Sequence, residues 1–332
     1  MSIRRKIYYR VFNTIDKHTP PVSVRKGGRK RALISYILTP FRIKKGFLHC
    51  NAIESIQMAD TLADLDYSVD VVDYRFKGRI NYNKYDLVIG FGYPYRNSFQ
   101  EANKEITRIC YMTGANPNFS NYAEAKRINS FQRRKGIYLA PKREVYWPWV
   151  FGAINADALV VVGNQWTAHT YEGLNDKVFT VPVPYICKPE ELELKPEATK
   201  SFVWFAGPGA VHKGLDLVIE AVVQSAEDVM LHICGNLKNE SAFLNCYQSE
   251  LLKTNRIRIW GMIGPDSTHM QEICSGSAFV LFPSCSEGTA SSVITCMAKG
   301  LIPVVTKESG IDLPDFGLEI SDGSVNEVAR AI

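Results

Sequence analysis

Two short stretches in the last third of the chain combine glycines, hydroxyls and single charged side chains. Residues 207–214 read GPGAVHKG, and residues 284–292 read SCSEGTASS. Backbone N–H groups at glycine turns and helix starts bind phosphate well. The carboxylate of the second stretch, Glu287, can accept hydrogen bonds from sugar hydroxyls. The two stretches therefore indicate a site for a phosphorylated, hydroxyl-rich ligand.

Each stretch also has a purely structural interpretation. Serine and threonine before a helix commonly cap its N–H groups without binding a ligand. Two glycines alone are a weak signal for phosphate. Lys213, however, stands just before a predicted helix, where the helix dipole disfavours a lysine. A surface lysine at a helix start is therefore the less favoured interpretation of Lys213.

Alternating strands and helices must position these stretches. Phe202–Ala206 and Ala278–Phe282 are apolar runs that predict buried parallel strands directly before the two loops, and helical spacing follows each loop. Comparable runs predict further strands at Arg31–Leu38, Ser68–Tyr74, Tyr85–Gly90, Arg108–Met112, Ala158–Val162, Lys177–Val183, Met230–Cys234, Ile257–Trp260 and Ile302–Thr306. In open α/β sheets, ligands bind beyond the carboxyl ends of the strands. The fold class predicted is α/β, with parallel sheets.

Length and composition indicate two domains of an ordinary globular protein. The chain has 332 residues with 46% hydrophobic and 22% charged residues. Residues 184–200 carry three prolines and no long apolar pattern, which is typical of a linker. We therefore expect a basic segment at 1–30, an N-terminal Rossmann-like domain at 31–184, a linker at 185–200 and a C-terminal Rossmann-like domain at 201–332, the two domains facing a central cleft. The chain ends where residues 324–332 only begin a helix, so the second domain is expected to lack its final helices.

Charge and cysteine content restrict the location and the partners. No apolar run reaches the roughly 18 residues that a membrane span needs, and the N-terminus is too polar for a signal peptide, which predicts a cytoplasmic protein. Eight scattered cysteines without a C-x-x-C pair favour free thiols and no metal site. Residues 1–31 carry a net charge of +9. They either lie on an anionic membrane surface, the inner face of the cytoplasmic membrane, or form a solvated tail; nucleic acid is a less favoured partner.

A predicted helix at 122–136 carries further positive charge. Arg127, Arg133, Arg134 and Lys135 are expected on its exposed side. They either hold an anionic acceptor or form a plain solvated face, and the second is the commoner case. The polar loop before this helix adds Thr113 and Asn116 as candidates for the cleft.

Residues 202–222, together with 283–305 (PSCSEGTASSVITCMAKGLIPVV), resemble the donor-domain signature of the retaining glycosyltransferases of family 4, or glycosyl transferases group 1, which have the GT-B fold. The resemblance covers most of residues 31–325. It implies hexosyl-type transfer from a nucleotide diphosphate sugar to a polysaccharide, glycolipid or lipid-linked acceptor. It also implies retention at the anomeric carbon, no metal ion and no cofactor besides the nucleotide sugar as co-substrate. The N-terminal domain would bind the acceptor and the C-terminal domain the donor.

The resemblance also implies roles for individual residues. Lys213 would neutralise the leaving diphosphate and Glu287 would contact the sugar hydroxyls, so these two are the predicted catalytic residues. The predicted donor-binding residues are Gly207, Gly209, His212, Gly235, Met262, Ile263, Gly288, Thr289, Ala290, Ser291, Ser292 and Thr295. The predicted acceptor or cleft residues are Gly46, His49, Asn51, Thr113 and Asn116. No protein base is obligatory, since the leaving phosphate can itself accept the acceptor proton.

Two positions depart from the family pattern. Pro208 stands where the family has an arginine that binds the diphosphate, and His212 is the candidate to replace it. Thr295 stands where the family has a second glutamate. These departures keep two alternatives open: a nucleotide-sugar epimerase of the same fold, and a catalytically silent protein that binds sugar nucleotides.

Overall fold

The computed structural model describes residues 11–43, 50–101, 105–146, 149–184 and 200–332. The described residues form two compact units. The first unit lies within Met1–Thr113, Trp147–Val162 and Tyr171–Pro184, and the second lies within Gly114–Tyr146, Gly163–Thr170 and Tyr185–Ile332. Two segments from the middle of the sequence, 114–146 and 163–170, therefore pack with the second unit. The predicted linker falls, except for Lys200, outside the described residues.

Each unit is built on one sheet of mostly parallel strands. The first sheet has seven strands in the order β1-β3-β2-β4-β5-β6-β7, and only β1 runs antiparallel to its neighbour. Its strands are β1 Val22–Arg25, β2 Lys30–Tyr36, β3 Tyr67–Asp73, β4 Leu87–Gly90, β5 Thr107–Met112, β6 Ala158–Val162 and β7 Val178–Val181. The second sheet is wholly parallel, in the order β10-β9-β8-β11-β12-β13. Its strands are β8 Ser201–Ala206, β9 Met230–Gly235, β10 Ile257–Gly261, β11 Phe279–Phe282, β12 Ile302–Thr306 and β13 Leu318–Ile320.

Helices alternate with the strands along the chain. The α-helices whose bounds are described are α1 Thr39–Arg42, α2 Asn51–Asp64, α3 Gly92–Glu101, α4 Pro117–Lys135, α5 Trp149–Asn155, α6 Gln165–His169, α7 Leu215–Gln224, α8 Ser241–Cys246, α9 Gln248–Lys253, α10 Thr268–Ser275, α11 Ser291–Met297 and α12 Val325–Ala331. Short 3₁₀ turns cover Tyr82–Lys84, Leu237–Asn239 and Lys307–Ser309. Leucine, isoleucine and valine side chains of the central strands and of α7 are buried between these layers. The predicted fold class, α/β with two parallel-sheet domains, is confirmed.

Helix α4 starts earlier than the sequence pattern predicts. Its first residue is Pro117 instead of Tyr122, because the Asn116 side chain accepts a hydrogen bond from the Asn118 N–H and a proline is favoured in the first turn. Helix α2 begins at Asn51, and Cys50 stands at its cap position.

The expectation that α4 exposes all four of its basic residues is wrong. Arg127 is 7% exposed, and its guanidinium donates to the Pro283 carbonyl over 3.0 Å. Arg134 forms ion pairs with Asp216 and Glu220 of α7, and Lys135 forms one with Glu250 over 2.8 Å. We call Arg134, Asp216 and Glu220 the α4 clamp. These charges hold α4 on the second unit, so they do not form a solvated face.

Several basic residues near the N-terminus also have partners within the first unit. Arg25 pairs with Asp60 over 2.5 Å, Arg29 pairs with Asp66, and Arg31 pairs with Asp70 over 3.3 Å. Among the described cysteines, six are buried free thiols and Cys246 is a half-buried one. Within the described ranges, none of the helices has the length and apolar character needed to cross a bilayer.

Candidate functional site

The two loops predicted to do chemistry meet at one edge of the second sheet. The glycine loop, residues 207–214, connects β8 to α7, and the glutamate loop, residues 283–290, connects β11 to α11. Strands β8 and β11 are parallel neighbours, so both loops leave the sheet at its carboxyl edge. Gly214 has a φ of +72°, and a Cβ there would lie 2.4 Å from the Pro283 carbonyl oxygen. Only glycine permits this approach of the two loops.

Lys213 and Glu287 form a buried ion pair where the loops meet. Lys213 Nζ lies 2.5 Å from Glu287 Oε1, and each side chain is 10% exposed. The Ser284 hydroxyl donates to the same oxygen over 3.3 Å, while the backbone N–H of Glu287 donates to the Glu308 carbonyl. The structure therefore brings together the two residues predicted to be catalytic.

The pKa of Glu287 reflects the surrounding charges. Burial alone would raise it, but the positive charges of Lys213 and Arg143 prevail and lower the pKa of Glu287 to about 2. Burial lowers the pKa of Lys213, and the Glu287 carboxylate partly opposes that shift. Glu287 is thus ionised at neutral pH, and its charge is offset by the adjacent lysine.

His212 is neutral and structural in this arrangement. Its Nε2–H donates to the Ser286 carbonyl over 2.6 Å, and the side chain is 2% exposed. Burial lowers the pKa of His212 to about 4. A neutral imidazole cannot supply the positive charge missing at Pro208. The described contacts of His212 are structural, and its predicted role at the donor stays a prediction.

The amides of the glycine loop already have an anionic partner. The Gly209 N–H donates to Glu240 Oε1 over 2.7 Å, and the Ala210 N–H donates to Glu240 Oε2 over 2.9 Å. The buried Glu240 carboxylate thus lies where the sequence predicted backbone contacts to a phosphate. Sequence reasoning missed this residue because Glu240 lies between two short helical turns and belongs to no motif.

The remaining donor candidates surround the ion pair or lie along the same sheet edge. Gly207 is exposed and Thr289, Ser291 and Ser292 are half-buried, whereas Gly288 and Ala290 are buried. The Gly288 carbonyl accepts from the Thr167 hydroxyl over 2.8 Å. Gly235 ends β9, while Met262 and Ile263 follow β10, so all three lie at the carboxyl edge. Thr295 is 6% exposed and its hydroxyl donates to the Ser291 carbonyl over 2.8 Å, within α11.

The acceptor candidates are divided between the units. Gly46 and His49 lie outside the described residues. Asn51, which is half-buried, and Thr113, which is exposed after β5, belong to the first unit. Asn116 belongs to the second unit, where its side-chain amide donates to the Thr170 carbonyl over 2.9 Å and its oxygen caps α4. Its side chain therefore holds α4 in place.

One family model and several solved structures are similar to this chain. The family described as Glycosyl transferases group 1 matches residues 200–332. Its match covers the second sheet and both loops. None of the curated proteins compared matches the chain significantly.

Solved structures resemble the chain over most of its length. The lipopolysaccharide outer core galactosyltransferase WaaB superposes with a TM-score of 0.61 and 10% identity, covering 91% of this chain and 88% of its own. Anabaena HepE in complex with UDP and glucose gives a TM-score of 0.55 and 13% identity, covering 91% and 89%. The chain has the GT-B fold. A mutant of S. aureus TarM in complex with Fondaparinux, alpha-GlcNAc-glycerol and UDP gives a TM-score of 0.51 and 17% identity, covering 74% of this chain. The chain spans about half of TarM, 47% of its length.

Proposed function

We propose that the protein is a glycosyltransferase that moves a hexosyl group from a nucleotide diphosphate sugar to an acceptor hydroxyl. One observation carries the proposal: the buried Lys213–Glu287 ion pair at the carboxyl edge of the second sheet. This pair lies within the residues that match Glycosyl transferases group 1. A buried charge pair bordered by half-buried hydroxyls suits a ligand that carries both phosphate and sugar.

The proposed step breaks one bond and forms one. The bond between the anomeric carbon and the β-phosphate oxygen breaks, and the diphosphate leaves with the electron pair. The acceptor oxygen forms the new bond on the same face, and its proton passes to the departing phosphate. Lys213 stabilises the charge that develops on the diphosphate, and Glu287 orients the sugar hydroxyls. Retention at the anomeric carbon is part of this proposal.

We further propose that this reaction needs no metal ion. Lys213 supplies positive charge from a fixed side chain close to the predicted leaving group, which is the role that a divalent cation has in other phosphate chemistry. Turnover in excess EDTA should then equal turnover in added Mg²⁺ or Mn²⁺. A loss of turnover in EDTA that Mg²⁺ restores would disprove metal independence.

The acceptor class is proposed from the similar proteins. WaaB is named as a lipopolysaccharide galactosyltransferase, and TarM was solved with a glycerol glycoside. We therefore propose a polysaccharide, glycolipid or lipid-linked acceptor, and a role in polysaccharide biosynthesis.

The donor test is a panel of nucleotide sugars. Thermal stabilisation and donor turnover are measured for the wild-type protein and for Lys213→Ala and Glu287→Ala, with Lys126→Ala as the control because Lys126 is exposed on α4. We expect one nucleotide class to bind, and the two site variants to lose turnover while Lys126→Ala keeps it. Absence of any nucleotide binding, or equal behaviour of all three variants, would refute the proposal. Donor isomerisation without an acceptor would identify an epimerase instead.

We propose a location at the inner face of the cytoplasmic membrane. The support is the net charge of +9 on residues 1–31, of which Arg4, Arg5, Lys6 and Arg10 lie outside the described residues. Flotation with vesicles containing anionic lipid should decrease when residues 1–10 are deleted. Equal flotation of the deleted and full chains would contradict this location.

A further inference from the structure

Two cations, Lys213 and Arg143, act on Glu287, while the nearby carboxylates of Glu124 and Glu240 accept hydrogen bonds from backbone N–H groups. Lys213 and Glu287 neutralise each other, and His212 is uncharged at neutral pH. Arg143, in the segment after α4, also acts electrostatically on all three residues. Its guanidinium has no hydrogen bond or ion pair with the described part of the chain, and the residue is exposed. Of the three charged side chains Lys213, Glu287 and Arg143, Arg143 is therefore the one without a hydrogen bond or ion pair among the described residues.

The position of Arg143 is fixed by its backbone and by Gly209. The backbone N–H of Arg143 donates to both oxygens of the buried Glu124 carboxylate, over 2.9 and 3.1 Å. A Cβ on Gly209 would lie 2.7 Å from Arg143 Cγ and 3.2 Å from Cδ, so the aliphatic part of the arginine packs directly on the glycine loop. The missing side chain at Gly209 makes room for Arg143.

The glycine loop itself offers little to a diphosphate. The N–H groups of Gly209 and Ala210 are bound to the Glu240 carboxylate, and Pro208 supplies neither a charge nor an N–H group. An approaching phosphate meets a lysine whose charge Glu287 already offsets. A second, unpaired cation is needed beside the loop to attract a group that carries two or more negative charges.

We propose that Arg143 binds the diphosphate of the nucleotide sugar and stabilises the departing phosphate, taking the place that an arginine at position 208 would otherwise have. The inference rests on the proposed function. A guanidinium presents several N–H donors in a planar fork that matches phosphate oxygens. The contact thus comes from the first half of the sequence, from a segment that packs with the second unit.

The test compares two arginines that differ in position but carry the same charge. Arg143→Gln removes the proposed contact, and Arg133→Gln removes an exposed α4 arginine that has no interaction within the described residues. Titration calorimetry measures the affinity for UDP and GDP and for the nucleosides uridine and guanosine. We expect Arg143→Gln to weaken binding of the preferred diphosphate about ten- to a hundredfold, with the nucleoside affinity unchanged. Arg143→Lys should keep part of the affinity, and Arg133→Gln should resemble the wild type.

The outcomes separate this inference from the proposed function. If Lys213→Ala weakens diphosphate binding but Arg143→Gln behaves as Arg133→Gln does, Arg143 has no contact with the ligand and the inference fails alone. If Arg143→Gln weakens nucleoside and diphosphate equally, its effect is on the loop and the inference again fails. If the wild-type protein binds no nucleoside diphosphate, the proposed function and this inference fail together. Circular dichroism should show the same folded content in all the variants.

Discussion

Two ion pairs of the second unit each join a basic residue to a carboxylate, but the pKa of the carboxylate is shifted in opposite directions. Lys213–Glu287 joins the glycine loop to the glutamate loop, and Arg134–Asp216 joins α4 to α7. The pKa of Glu287 falls to about 2, whereas burial raises the pKa of Asp216 to about 6 despite the arginines beside it. Both carboxylates are buried, so burial alone does not explain the difference.

The charged residues beside each pair explain why the two pKa values differ. Glu287 has two cations near it, Lys213 and Arg143, and no second carboxylate among the causes of its shift. Asp216 shares Arg134 with Glu220, whose negative charge opposes its ionisation. Two cations beside one carboxylate leave a positive side chain available to an anion, whereas two carboxylates that share one arginine hold two helices together. This contrast separates the proposed binding site from the α4 clamp.

The largest expected effect is on the Lys213–Glu287 pair. Lys213→Ala leaves a buried carboxylate without its partner, so we expect a loss of about 3–5 kcal/mol in unfolding free energy. Turnover of the donor should fall about 10²–10³-fold. The double variant Lys213→Met/Glu287→Gln replaces both charges with groups of similar size. It should recover most of the stability in urea unfolding but none of the turnover, measured as release of nucleoside diphosphate.

Recovery of turnover in that double variant would show that the ion pair is only structural. Failure of the double variant to regain stability would show that the pair stabilises the loops beyond cancelling its own charges. Either result would remove the contrast with the α4 clamp.

Substitution in the α4 clamp should reduce stability but leave diphosphate binding unchanged. Arg134→Met leaves Asp216 and Glu220 without their shared cation, and Arg134 is about a quarter exposed. We therefore expect a smaller loss of about 2–3 kcal/mol in unfolding free energy. Diphosphate affinity per folded molecule should stay within twofold of the wild type. A marked loss of affinity at full folding would mean that the clamp controls the site.

Gly209→Ala tests the contact between the glycine loop and Arg143. Gly209 has a φ of +100°, and an added Cβ would displace the arginine side chain. We expect a loss of about 1–2 kcal/mol in unfolding free energy and a several-fold weaker diphosphate affinity. Gly207→Ala is the matched stability control, because its Cβ would have no atom within 4 Å and its φ is not positive. Equal stability of the two variants would contradict the packing described for Arg143.

The sequence predicted those strands and loop residues that belong to a local pattern. Phe202–Ala206 and Ala278–Phe282 are continuous apolar runs, and both lie within one residue of the observed strands. Strands β1 and β13 were missed because they are four and three residues long and lie at sheet edges, where burial leaves little pattern. Lys213 and Glu287 were found because each stands in a motif directly after a strand.

Glu240 and Arg143 could not be found in this way. Glu240 reaches the Gly209 amide from 31 positions further along the chain. Arg143 lies in an irregular segment that belongs to the second unit although it precedes β6 in the sequence. Such contacts depend on tertiary packing, which leaves no periodicity in the sequence. For the same reason, Arg127 and Arg134 were predicted to be exposed. The partner of Arg127 is in the glutamate loop, and the partners of Arg134 are in α7.

The smallest expected effect is a pH dependence that distinguishes the two carboxylates. Asp216 has a pKa of about 6 in the folded protein and an ordinary value of 3.8, so between these values the folded state binds more protons than the unfolded state. Its contribution to stability therefore decreases as pH rises, by about 1 kcal/mol between pH 5 and pH 7. Asp216→Asn should remove this dependence, so the difference in unfolding free energy between variant and wild type should change by that amount.

The shift of the Glu287 pKa has the opposite sign. The contribution of Glu287 to stability is present above pH 4.5 and is lost as pH falls towards 2. Glu287→Gln should therefore leave the slope between pH 5 and pH 7 unchanged. Equal slopes for wild type and Asp216→Asn would show that Asp216 is ionised throughout, and that the α4 clamp and the Lys213–Glu287 pair do not differ in charge balance.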